Sequence, residues 1–167
     1  AIQLITKNIH FDDKDFVLPE LDSENTLVLI FSDSSLLSDD SVLNPLRIAY
    51  PKSIFLGCST AGEIFQNTVH DNSISFAIAK FEKTRLSACT TEVTSALHSR
   101  HAGREISEKL LSDDLKAIFL LSDGLNINGS ELVKGFNDIL PQNVIVTGGL
   151  AGDGSKFEST WVLKEKC

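Results

Sequence analysis

The 167-residue chain contains no methionine, one tryptophan, one tyrosine and three cysteines. Cys58, Cys89 and Cys167 are odd in number and show no CxxC spacing, which argues against a disulfide framework or a zinc knuckle and fits a reducing cytoplasm. Long hydrophobic runs are also missing. The longest, such as Leu27 to Phe31 and Ala117 to Leu121, fall far short of the roughly 20 residues a membrane helix needs. Positive charge is in deficit: 15 Lys and Arg against 23 Asp and Glu leave a formal charge of −8. That balance repels a phosphate backbone, and no local basic cluster reverses it, so nucleic acid is not an expected partner. No secretory signal precedes Ala1. The missing methionine and the abrupt ending Lys164-Glu165-Lys166-Cys167 read as a segment of a longer protein.

The remaining composition suits a soluble α/β domain, since 42% apolar residues can fill a core at this length. Two stretches organise it. Ile54-Phe55-Leu56-Gly57-Cys58-Ser59-Thr60-Ala61-Gly62-Glu63-Ile64 sends an apolar strand into a small-residue turn. Ile145-Val146-Thr147-Gly148-Gly149-Leu150-Ala151-Gly152-Asp153-Gly154 repeats the pattern 90 to 91 positions later. Ser32-Asp33-Ser34 and Ser122-Asp123-Gly124 are likewise offset by 90. The repeat predicts a single domain over 1–167 with internally duplicated βαββ units at about 27–94 and 117–167. The fold class is α/β, a mixed sheet or sheets with a parallel βαβ core and an antiparallel hairpin.

Strands are predicted at Ile2 to Thr6, Leu27 to Phe31, Ser53 to Leu56, Ile74 to Ala79, Leu86 to Val93, Ala117 to Leu121, Val144 to Thr147, and from Thr160 onward. The unbroken run Leu27 to Phe31 reads as covered on both faces. Ile74 to Ala79 and Leu86 to Val93 form the hairpin, turned by Glu82-Lys83. A helix from about Asp40 to Tyr50 is capped by Ser38 to Ser41, with Pro45 splitting it and Asn44 capping the second part. Ser99 to Ser112 buries Ala102, Ile106, Leu110 and Leu111. The helix opened by Gly129-Ser130-Glu131 has Ser130 as N-cap, buries Leu132, Val133, Phe136, Ile139 and Leu140, and stops at Pro141.

If the four core strands are parallel, both glycine stretches and both Ser-Asp turns emerge at carboxyl ends, where open α/β sheets bind ligands. Free backbone N–H groups beside Gly57, Gly62, Gly148, Gly149 and Gly152 can hold a carboxylate. Asp33, Asp123 or Asp153 can take an ammonium, so an amino-acid-like zwitterion fits both. The candidate ligand-binding set is Gly57, Cys58, Ser59, Thr60, Gly62, Glu63, Asp123, Gly124, Asn126, Gly148, Gly149, Gly152 and Asp153. Glycines also serve simple tight turns, and Glu63 and Asp153 also suit capping. Neither stretch fits GxGxxG or a P-loop, so a nucleotide has little support.

Cys58 could act as a nucleophile if a base lowered its pKa, but no base can be assigned, and a small, buried, unreactive cysteine is the preferred reading. Gly149 at the equivalent position favours the second view. His98 and His101, spaced i, i+3, suit a metal or haem iron, or two solvated side chains; His10 and His70 read as loop and turn residues. Trp161 packs in the core or against a missing half.

Gly57 to Ile64, Leu121-Ser122-Asp123-Gly124-Leu125-Asn126 and Gly148 to Gly154, in this order and spacing, resemble the FIST N-terminal domain from about Leu27 to Leu163. The resemblance implies a bacterial intracellular sensory domain that binds a small ligand such as an amino acid. It implies partners among histidine kinases, cyclic-dinucleotide enzymes or chemotaxis proteins, and usually an adjoining FIST C-terminal domain. Some relatives are haem-containing nitric oxide sensors, which makes haem sensing the main alternative; a thiol-dependent enzyme using Cys58 is the second. No catalytic residue, metal or obligatory cofactor is expected, and the location is cytoplasmic.

Overall fold

In the computed structural model, which describes residues 1–10, 17–35 and 40–166, the apolar run after Asn25 forms strand β2 (Thr26–Ser32). Its alternate residues Val28 and Ile30 are fully buried, while Leu27, Leu29 and Phe31 are only half-buried. The run is therefore a strand with one sealed face, not the doubly covered strand its composition suggested. Helix α1 (Asp40–Ala49) and strand β3 (Ile54–Ser59) come next. β3 pairs parallel to β2, with Ile30 opposite Gly57 and Ser32 opposite Ser59. Pro45 lies within α1 without splitting it. The predicted caps at Ser38 and Asp39 lie outside the described residues, as do the side chains of Asp40 and Ser41.

Strands β4 (Glu63–Phe65) and β5 (Thr68–His70) make a small hairpin. β6 (Ser73–Phe81) then returns antiparallel to β2. The predicted hairpin between β6 and Leu86 to Val93 does not form, and residues 84–93 carry no strand. The physical reason is that both edges of β6 are taken, by β2 and by the longer-than-expected N-terminal strand β1 (Ile2–His10). Near the chain's end β9 (Val162–Lys166) pairs antiparallel to β3. The sheet order is β1-β6-β2-β3-β9. These strands belong to one compact unit, Ala1–Leu86 with Gly152–Cys167. Its core holds Val28, Ile30, Phe55, Ile74, Phe76 and Ile78 from the sheet, Leu43 and Leu46 from α1, then Tyr50 and Trp161. Tyr50 donates its hydroxyl to the Pro19 carbonyl at 2.5 Å.

The second unit, Ser87–Ala151, holds α2 (Ser99–Leu110), β7 (Ala117–Ser122), α3 (Gly129–Ile139) and β8 (Ile145–Leu150). β7 and β8 form a two-stranded parallel sheet of their own. The two helices cross closely because glycine faces backbone on each: a Cβ on Gly103 would overlap the Leu132 carbonyl, and one on Gly135 the Arg100 carbonyl. Arg100 and Asp138 tie the crossing with two bonds of 2.8 Å. Ala102, Ile118, Leu132 and Phe136 form the core. The N-cap of α3 is Asn128, not Ser130; its side chain accepts from Glu131 N at 3.1 Å. Val133 is exposed, contrary to the expected stripe, and so is Leu111 beyond α2.

Each unit thus holds a strand, a helix and a parallel strand. The strands after these common elements pair differently: β6 returns onto β2, whereas β9 joins β3 and leaves β7 and β8 as a pair.

Candidate functional site

Four segments of the first unit converge at one end of its sheet. Asp33 comes after β2 and Ala61-Gly62-Glu63 after β3, so both stand at the carboxyl ends of the parallel pair. β6 and β9 run antiparallel to that pair, with Ile74 opposite Ser32 and Val162 opposite Cys58. Their amino ends therefore arrive at the same edge, bringing Asp71-Asn72 and the loop Asp153-Gly154-Ser155-Lys156. Together these residues line a cleft of about 320 Å³.

The strand ends are stitched by backbone bonds: Thr60 N to Ser32 O at 2.9 Å, Gly152 N to Ser59 O at 2.9 Å, and Ser59 N to Trp161 O at 3.0 Å. Trp161 returns its own N–H to Ser59 Oγ at 3.1 Å. The lone tryptophan is a core residue that pins the loop before β9 onto β3.

Most carboxylates in the cleft are already engaged. Glu63 is 1% exposed; its Oε1 accepts from Thr60 Oγ1 at 2.8 Å, and its Oε2 from Ser73 Oγ at 3.0 Å and Ser73 N at 3.3 Å. It clamps the β3–β4 turn to the start of β6. Asp33 Oδ1 accepts from Ser35 N at 2.9 Å. That bond holds the acid below its ordinary range against the opposing effect of burial, with the nearby Lys156 charge helping. Asp153 is buried and accepts three amides of its own loop, Phe157 N at 3.1 Å, Glu158 N at 2.6 Å and Ser159 N at 3.0 Å. The Glu158 amide is the main cause of its lowered pKa, opposed by burial and aided by the other two amides and Lys156. Asp71 and Lys156, by contrast, make no hydrogen bond or ion pair with any described residue.

Of the residues singled out in the sequence, Gly62, Glu63 and Asp153 line this cleft, together with Asp33. Gly57, Cys58 and Ser59 lie inside β3 instead of in a turn. Gly57 is required by packing, since a Cβ there would overlap the Ile30 carbonyl. Thr60 bonds Glu63, and Gly152 lies against the Thr60-Ala61 backbone. Asp123, Gly124, Asn126, Gly148 and Gly149 belong to the second unit. Asp123 there accepts from Leu125 N at 3.1 Å and Asn126 N at 2.8 Å, capping its own turn as Asp33 does. Gly148 and Gly149 continue β8. Gly148 has φ of +149°, and a Cβ there would overlap the Leu120 backbone, so the close strand pairing demands glycine.

Sequence reading missed Asp71, Asn72, Ser155 and Lys156. The Asp-Asn pair carried a turn signal; the Ser-Lys pair carried none.

Cys58 is 3% exposed, and desolvation pushes its thiol up to about 11. At neutral pH it is protonated, opposite to what a thiolate nucleophile requires. His98 stands at the start of α2 with its ring Nδ1 against Ser95 Oγ and Thr94 Oγ1 at 3.2 and 3.3 Å, makes no side-chain cap to the helix, and like His101 is exposed. Exposed histidines in a polar stretch do not fit axial ligation of haem, which calls for an apolar pocket. Among the described residues no three His, Cys, Asp or Glu side chains group as a metal site, and no helix is long and apolar enough to cross a membrane.

A polar cleft at the carboxyl ends of parallel strands is the small-molecule position of an α/β domain. The chain belongs to the FIST N domain family, whose model matches residues 26–166, and is thereby a signal-transduction sensory domain. No match was found among curated proteins or among solved structures.

Proposed function

We propose that this domain is a non-enzymatic sensor whose cleft takes an amino-acid-like zwitterion. The supporting observation is the division of labour among the charged groups lining the cleft. Asp33, Glu63 and Asp153 are committed to internal hydrogen bonds, which leaves one anion, Asp71, and one cation, Lys156, for a ligand. The Asp71 carboxylate takes the ligand's ammonium and Lys156 its carboxylate, each a charge-assisted bond. Binding then shifts the domain between states that a partner distinguishes. The partner is a cytoplasmic kinase, cyclic-dinucleotide enzyme or chemotaxis protein, the classes consistent with the family.

Thermal-shift and calorimetric screening of the protein against the twenty amino acids tests the reading. A binder at a hundred times its Kd adds about 2.7 kcal/mol of stability. Asp71→Ala and Lys156→Ala each weaken that binding by about tenfold or more, the effect of losing one charged hydrogen bond. Absence of stabilisation by any amino acid, or wild-type affinity in both variants, overturns it.

A further inference from the structure

Asp153 stands out in the cleft because its side chain faces its own loop. Three consecutive amides, Phe157, Glu158 and Ser159, point at its two carboxylate oxygens. The ring so formed contains two residues at positive φ, Gly154 at +71° and Phe157 at +53°. A left-handed phenylalanine costs about 1–2 kcal/mol, and Phe157 is 76% exposed, so core packing does not hold it there. The hydrogen bond that its N–H donates to Asp153 Oδ1 does. Ser155 and Lys156 lie between the two turning points, so the ring determines where Lys156 stands on the cleft wall.

We infer that Asp153 is a positioning residue: it contacts no ligand and acts by holding the loop that presents Lys156. The inference rests on the zwitterion reading and reassigns Asp153 from ligand contact to loop organiser. It makes the effects of the two residues non-additive, as for any pair acting through one contact.

The test is a double-variant cycle on the protein, probed with whichever of the twenty amino acids binds most tightly. Asp153→Asn keeps one acceptor oxygen and the loop's length. In the wild-type background it weakens binding about tenfold, but in the Lys156→Ala background less than about twofold. Equal losses in both backgrounds, or no loss in either, overturn the inference. Ser159→Pro deletes one amide donor without touching the carboxylate and shows the same pattern; it serves if Asp153→Asn does not fold. If the wild-type protein binds no amino acid, the zwitterion reading fails separately. Backbone relaxation of the Lys156 to Ser159 amides then decides: disorder of this segment alone in Asp153→Asn supports the inference, and an unchanged, ordered loop overturns it.

Discussion

Both units place a helix between two parallel strands, and both end the first strand in an aspartate that accepts from its own turn, one amide at Asp33 and two at Asp123. The difference lies in what flanks the parallel pair. In the first unit β6 and β9 run antiparallel on either side and deliver two further turns to its carboxyl end. In the second, β7 and β8 have no third strand among the described residues. The cleft is thus a product of the antiparallel neighbours, while Gly57 and Gly148, inside the parallel strands, serve close backbone packing.

Emptying each core in turn sets the two units apart most strongly. Phe136→Ala and Phe55→Ala both remove a fully buried ring, and each loses about 3–5 kcal/mol. The second unit's core has four buried hydrophobic residues against twelve in the first, among the described residues. Phe136→Ala therefore raises hydrogen exchange throughout Ser87–Ala151, whereas Phe55→Ala leaves part of its unit protected. Next in size is Gly148→Ala, which drives a methyl group into the Leu120 backbone and costs about 2–3 kcal/mol by denaturant titration. A smaller effect of opposite sign separates two serines, each the last residue of the first parallel strand in its unit. Ser32 Oγ is buried with no hydrogen-bond partner among the described residues, so Ser32→Ala stabilises by about 1 kcal/mol. Ser122 Oγ donates to Asp123 O at 3.3 Å, and Ser122→Ala brings no gain. The smallest effect is pH dependence in the cleft. The carboxyls of Asp33 and Asp153 lie below the ordinary 3.8 in the folded state. Their stabilisation is fully present above that value and is lost as pH falls through the lowered ones. From these two groups the melting temperature is flat between pH 7 and 5 and declines only in stronger acid.

Local pattern made much of the fold legible. The apolar runs at Leu27 and Ala117 and the helical stripes after Ser99 and Gly129 name their elements because each is settled within a dozen residues. Leu86 to Val93 misled because β composition says nothing about whether an edge is vacant, and β1 had already taken it. Ser130 lost the cap to Asn128 two residues earlier, a choice between equally good acceptors that the loop geometry decides. In the site, Asp33, Gly62, Glu63 and Asp153 were readable from strand-end patterns. Asp71 and Lys156 were not, since their convergence depends on the antiparallel return of β6 and on β9 finding β3 across a hundred residues.

The pairing of β9 with β3 has a consequence for synthesis. The backbone edge of β3 from Ile54 to Cys58 is paired only when Val162 to Lys166 arrive, after the whole of Ser87–Ala151 has been made. At about 5–20 residues per second, a nascent chain displays these unpaired backbone groups for roughly 5–20 seconds. An unpaired edge of that kind is a template for mispairing, so the ribosome-bound intermediate is the form of this protein most in need of a chaperone.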